Sequence, residues 1–247
     1  MVISNTAFVS FPNAIAGLLF DDSLNSLYPI RYYHAIDGSG FDPLTDCSYF
    51  VFVYDGTAAL SLESGLSATL VKDTYFSHHG LFTLEGVFKA IVIEVCDAGY
   101  YRSAQYRAMT AIGGTIEETG RLRYIDGCTD SLLIAPVKKG NPCLNHLHFP
   151  PGTIQTPHTH PSHRIGLVIR GKGECITAEG VTPLIPGCIF LIRENGVHKF
   201  DTADSHLDVI AFHPDSDFGA EDDYHPMINR TIVDGVSARN LAGIRTL

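Results

Sequence analysis

Short runs in which apolar residues alternate with polar ones, or stand together over four to eight positions, carry most of the patterning in this chain. "YFVFVY" (49–54), "AALSL" (58–62), "ATLV" (68–71), "GLFTLEG" (80–86) and "KAIVIEV" (89–95) form a first block. "SLLIAPV" (131–137), "LNHLHF" (144–149), "IGLVIR" (165–170), "ECIT" (174–177), "CIFLI" (188–192) and "HLDVIAF" (206–212) form a second. β-Branched and aromatic residues fill these runs, while Gly, Pro, Asn and Asp separate them, which is the pattern of strands joined by turns. Helical periodicity is scarce, and short helices are expected only near 12–26, 102–112 and 235–245. Many short strands at even spacing fit a sandwich or barrel, and two blocks of similar length suggest two copies. The expected organisation is all-β: a first barrel over 1–97, a polar connector over 98–127, a second barrel over 128–215 and a C-terminal extension over 216–247.

Composition narrows the classes of function. The chain has 247 residues, 45% of them hydrophobic and 18% charged, enough for a substantial core. No apolar run approaches the roughly 18–20 residues needed to cross a bilayer. The apolar N-terminal stretch has no preceding Lys or Arg, so it does not read as a signal peptide, and a cytoplasmic protein is expected. A formal charge of −10 argues against a nucleic-acid partner and requires any anion site to be built locally. Six cysteines without a C-x-x-C pair read as reduced and buried thiols.

The twelve histidines change the picture, because most lie beyond residue 145. In "PGTIQTPHTHPSHRIGLVIRG" (151–171), His158 and His160 stand two apart and so share one face of an extended segment. Neutral imidazoles on one face can grip a divalent ion and leave coordination positions open for substrate. The bland alternative is the polar rim of a turn. His146 and His148 alternate in the same way in "NHLHF", and either line a cavity as substrate-binding groups or sit on an exposed strand face. His206 and His213 lie seven apart, so no shared role is expected.

The intervals in this region resemble the cupin superfamily, whose first motif runs G-x5-H-x-H-x3,4-E-x6-G. Gly152, His158, His160 and Gly171 keep every interval, but Arg164 stands in the glutamate place. The second motif, G-x5-P-x-G-x2-H-x3-N, is met by Gly187 and His198, with Arg193, Asn195 and Thr202 at its other positions. The resemblance implies two tandem cupin-type β-barrels (jelly rolls). The first is degenerate, with Pro43 and Thr45 where histidines would stand, and a homodimer is expected. It implies His158, His160 and His198 as ligands of a divalent metal, with Fe(II) favoured and Mn, Ni, Cu or Zn also suited to imidazole.

Arg164 cannot ligate, since guanidinium has no acceptor and stays protonated. Either it clamps a substrate carboxylate beside the metal, as a catalytic and substrate-binding residue, or it makes an outward salt bridge. His163, one residue earlier in a Pro-Ser turn, is either a fourth ligand or a solvated loop residue. The leading function is a metal-dependent dioxygenase acting on a small anionic molecule. The alternatives are a non-redox isomerase, lyase or decarboxylase, and a ligand-binding bicupin without turnover.

Overall fold

The computed structural model describes residues 3–96, 106–138, 140–215, 232–237 and 240–241. The first strands are β1 (Ile3–Ser4), β2 (Phe8–Phe11), β3 (Gly17–Asp22), β4 (Ile30–Ile36), β5 (Cys47–Leu62), β6 (Ser67–Val71), β7 (Thr74–His79), β8 (Phe82–Cys96) and β9 (Ala111–Gly113). They continue with β10 (Leu122–Arg123), β11 (Thr129–Ile134), β12 (Cys143–Phe149), β13 (Arg164–Gly171), β14 (Gly173–Thr177) and β15 (Gly180–Leu184). The last are β16 (Ile189–Ile192), β17 (Lys199–Asp201), β18 (Leu207–His213), β19 (Ile232–Val233) and β20 (Val236–Ser237). The 3-10 turn Ile125–Gly127 interrupts the β structure of the described part of unit 1. The chain forms two compact units, Met1–Ser216 and Asp217–Leu247; the second is described only by its β19–β20 hairpin and residues 240–241. No helix among the described residues is long and apolar enough to cross a membrane.

The expected helix over 12–26 is absent, because Leu18, Phe20, Asp21 and Asp22 pair with β4 as strand β3. Of the segments near 102–112 and 235–245, the described parts include the short strands β9 and β20, and the rest lies outside the described residues.

Two large sheets show the duplication directly. One runs β3-β4-β8-β5-β7-β9 and the other β11-β12-β18-β13-β16-β2, so six places match in the same order. Even the bulges correspond, between Val53 and Asp55 in β5 and between Val168 and Arg170 in β13. Aligning the bulges sets Arg164 opposite Tyr49 of the first half. That offset also places His158 and His160 against Pro43 and Thr45.

The expected boundaries differ from the sheets at two points. Residues 3–11, expected in the first barrel, are strands of the second sheet, where β2 pairs with β16. Residues 111–113, expected in the connector, form β9 beside β7 of the first sheet. The reason lies in side chains. Phe8 is fully buried in the second half and stacks on Phe190 at 5.4 Å, so the N-terminal strand follows its aromatic anchor rather than its sequence neighbours.

Three cores hold unit 1 together. Tyr49, Val51, Val53, Leu60 and Phe76 fill the first half, where β5 and β8 curl over so that their two ends face each other. Val168, Phe190, Phe200, Leu207 and Val209 fill the second, between its large sheet and the three-stranded sheet β15-β14-β17. The third lies between the halves, where Phe50 and Phe52 meet Ile165, Ile210 and Phe212; the Phe50 and Phe212 rings are 5.0 Å apart. Strands covered on both faces read as unbroken apolar runs, which is why Cys47–Val53 of β5 is buried throughout while its far end alternates. Gly166 is required by close approach, since a Cβ there would fall 2.1 Å from the Phe190 ring.

Candidate metal centre

His158, His160 and His198 converge at one end of the second barrel. His158 and His198 face each other across an isolated antiparallel bridge, with backbone N–H to carbonyl distances of 3.0 and 3.1 Å in the two directions. His160 follows two residues later, so its ring returns to the same side. Ring centroids are separated by 4.6 Å (His158–His198), 5.0 Å (His158–His160) and 5.2 Å (His160–His198). One ligand nitrogen from each ring lies within 4.8 Å of the other two.

The tautomers suit ligation. His158 Nδ1 donates to the Thr156 carbonyl at 2.8 Å and His198 Nδ1 to the Gly196 carbonyl at 2.9 Å. A carbonyl only accepts, so the proton sits on Nδ1 and the Nε2 lone pair is left for a metal. Burial holds His198 down to about 4, and burial together with Arg164 and the neighbouring rings takes His160 to about 2. Both are therefore neutral around pH 7, the form that ligates.

Arg164 points into the same space, as the first residue of β13 on the face that carries Gly166 and Val168 inward. Its Nη1 donates to Asp215 at 2.7 Å and to the Ser162 hydroxyl, which itself donates to Asp215. Nη1 also makes longer contacts to the Ser162 and His163 carbonyls. Every hydrogen bond of this side chain to the described residues runs through Nη1, and the buried Nε has no partner among them. The cavity beside it has a volume of about 30 Å3, walled by Leu147, Phe149, Phe190, Phe200 and Val209, with Tyr124, Gln155 and His213 as further polar members.

The sequence profile of the cupin domain family matches residues 145–213. Residues 145–213 therefore carry a cupin domain, and the rest of the chain shares a fold with solved structures of that kind. No curated protein sequence matches it. Solved structures share the fold at low identity. A putative glyoxylate-induced protein from Pseudomonas aeruginosa is 11% identical with a TM-score of 0.64, covering 90% of this chain and 93% of that one. Protein YlbA from E. coli is 16% identical with a TM-score of 0.58, covering 88% and 97%. Salicylate 1,2-dioxygenase from Pseudaminobacter salicylatoxidans is 10% identical with a TM-score of 0.57, covering 81% and 76%.

The remaining sequence candidates lie elsewhere. His163 faces away from the three histidines: its Nδ1 accepts the Glu194 backbone N–H at 2.9 Å and its Nε2 lies 3.0 Å from Asp22 Oδ2. With both ring nitrogens engaged, it is not a fourth ligand. His146 and His148 share a face of β12 as expected, but it is the face that carries Leu144 towards the other half, not the cavity face of Leu147 and Phe149. Both bind Asp208 Oδ1, at 3.1 and 2.7 Å, and Arg170 Nε donates to Asp208 Oδ2 at 2.8 Å. They are neither cavity lining nor a solvated strand face.

His213, set aside on spacing to His206, lines the cavity instead, and burial with Arg164 and His160 nearby pushes it well below the usual imidazole range. The available signal was alternation along β18, where Leu207, Val209, Ala211 and His213 share the inward face. Tyr124 carried no periodic signal, since it precedes a 3-10 turn.

Proposed function

We propose that this cupin is a metal-dependent enzyme, an Fe(II) dioxygenase that acts on a small carboxylate-bearing substrate. The donor set fits the ion: three imidazoles offer one nitrogen each within 4.8 Å of one another, with no carboxylate among them. When bound, such an ion supplies Lewis acidity and open positions at which substrate oxygen and dioxygen meet.

The observation that carries the reading is the buried Nε of Arg164, which has no partner among the described residues and lies beside the three histidines. Nε–H together with Nη2–H forms the side-on fork of a guanidinium, which matches both oxygens of a carboxylate. Asp215 and Ser162 hold the opposite edge, so the fork is fixed in orientation before substrate arrives. Asp215 also balances the arginine's charge, which removes the repulsion that a bare guanidinium would exert on a cation. Tyr124 and His213 supply polar contacts next to the fork, and the aromatic wall of Phe149, Phe190 and Phe200 excludes water. A cavity of about 30 Å3 has room for about two waters, so it admits the carboxylate end of a substrate rather than a large body. Salicylate 1,2-dioxygenase, whose fold is shared, has been crystallised with gentisate.

The test is oxygen uptake by iron-loaded protein over a panel of aromatic and aliphatic carboxylates. Uptake with at least one carboxylate, and none with the matching amide, supports the reading. Turnover without oxygen consumption would favour a non-redox isomerase, lyase or decarboxylase, for which the same imidazoles would hold Zn, Mn or Ni. Metal retention without turnover of any panel member would favour a ligand-binding cupin.

A further inference from the structure

We propose that His163 is a positioning residue through which the first half of the molecule holds the loop that delivers His198. The inference rests on the reading of His198 as a metal ligand. The loop runs from Arg193, where β16 ends, to His198. Four contacts fix it. Arg193 N–H donates to the Ala7 carbonyl at 2.8 Å, and Glu194 N–H donates to His163 Nδ1 at 2.9 Å. Asn195 N–H donates to the His160 carbonyl at 2.8 Å, and the Gly196 carbonyl accepts from His198 Nδ1 at 2.9 Å. The last of these orients the ligand ring itself, so displacement of the loop backbone displaces the Nε2 lone pair.

Apart from the ligand ring of His198 itself, His163 is the one side chain among these contacts, and its chemistry is fully specified by its neighbours. A backbone N–H can only donate, so Nδ1 presents its lone pair to Glu194 and the ring proton lies on Nε2. Nε2–H then donates to Asp22 at 3.0 Å, on β3 of the first sheet, and the ring meets the edge of Phe20 at a centroid distance of 5.2 Å. Carboxylate, imidazole and backbone amide thus form a line from the first sheet to the metal loop. The partners are 141 residues apart in sequence, and the arrangement gives the degenerate first half a task at the site of the second. Asp22 fixes the tautomer and ring plane, His163 carries that constraint to Glu194, and the loop passes it to His198.

The experiment compares wild type with Asp22→Ala, His163→Ala, His163→Gln and the Asp22→Ala/His163→Ala double variant. Two readouts are used: release of Co(II) to a chelator, with its visible spectrum, and amide hydrogen exchange over 193–198 in the metal-free protein. Each single alanine variant is expected to release the metal roughly tenfold faster or more, as for loss of a group that orients a ligand. Both are also expected to alter the Co(II) spectrum and to speed exchange at Glu194. The double variant should match His163→Ala, because both changes break one line. Glutamine keeps a donor for Asp22 but offers no acceptor at the Nδ1 position, so His163→Gln should retain the fold and still lose protection at Glu194. Unchanged exchange and metal release in Asp22→Ala, or additive effects in the double variant, would overturn the proposal. If wild type takes up no Co(II), the metal reading fails, while hydrogen exchange alone still decides whether Asp22 and His163 hold the loop.

Discussion

Arg164 occupies the position where the cupin motif has a glutamate, and the structure gives that exchange a physical form. A carboxylate there could join the three histidines as a ligand, whereas the guanidinium is held by Asp215 through Nη1 and its buried Nε has no partner among the described residues. Arg164→Lys preserves the charge opposite Asp215 but has no side-on fork. It is expected to leave metal content unchanged and to raise KM for the carboxylate substrate by roughly tenfold or more, in line with a charge-assisted hydrogen bond; an unchanged KM would end the clamp. Asp130 is fully buried in the second half and accepts a hydrogen bond from Asn145 Nδ2 at 2.7 Å. Burial raises its carboxyl to about 6 from an ordinary 3.8. The native state therefore keeps this proton to higher pH than the unfolded chain, so the contribution is complete below about 4 and is lost as pH rises through about 6. Asp130→Asn should flatten that decline in urea-unfolding free energy between pH 4 and 7, and an undiminished slope would contradict it. The spacing of His158, His160, His198 and Arg164 was legible in sequence because the motif is local. The use of His163 was not, because its partner Asp22 lies in another sheet and "PSH" breaks the alternation that would have told its direction.

At the scale of elements, strand identity was legible wherever apolar runs were long, and strand partnership was not. "AIAGLLFDD" mixes small, apolar and acidic residues in a way compatible with a helix, and only pairing with β4 makes it a strand. Likewise, alternation says that His146 and His148 share a face, but which face is set by pairing with β18 and the packing of Ile210 and Phe212 against the first half. The N-terminal strand is the clearest case: nothing local to residues 8–11 reveals that Phe8 belongs beneath Phe190. Its burial makes a quantitative claim. Phe8→Ala is expected to cost about 3–5 kcal/mol in chemical unfolding, as for truncation of a buried aromatic. It should also expose the free edge of β16 and raise aggregation. A loss below about 1 kcal/mol would mean that the strand is not part of the second core.

For the whole molecule, duplication and exchange act together. Two sheets with the same strand order pack face to face through Phe50, Phe52, Ile165 and Phe212, and each takes its last edge strand from outside its own sequence block. The five described cysteines are buried, and burial raises the Cys128 and Cys188 thiols to about 11, so these two pack as small apolar groups rather than react. Only one half carries the three histidines, while the other braces them. If these histidines hold a divalent ion, metal content after anaerobic purification distinguishes wild type from His198→Ala. A single ion per wild-type chain, Fe(II) on the reading above, and its loss in the folded variant is the predicted result; equal metal content in the two proteins, or none in wild type, would contradict it.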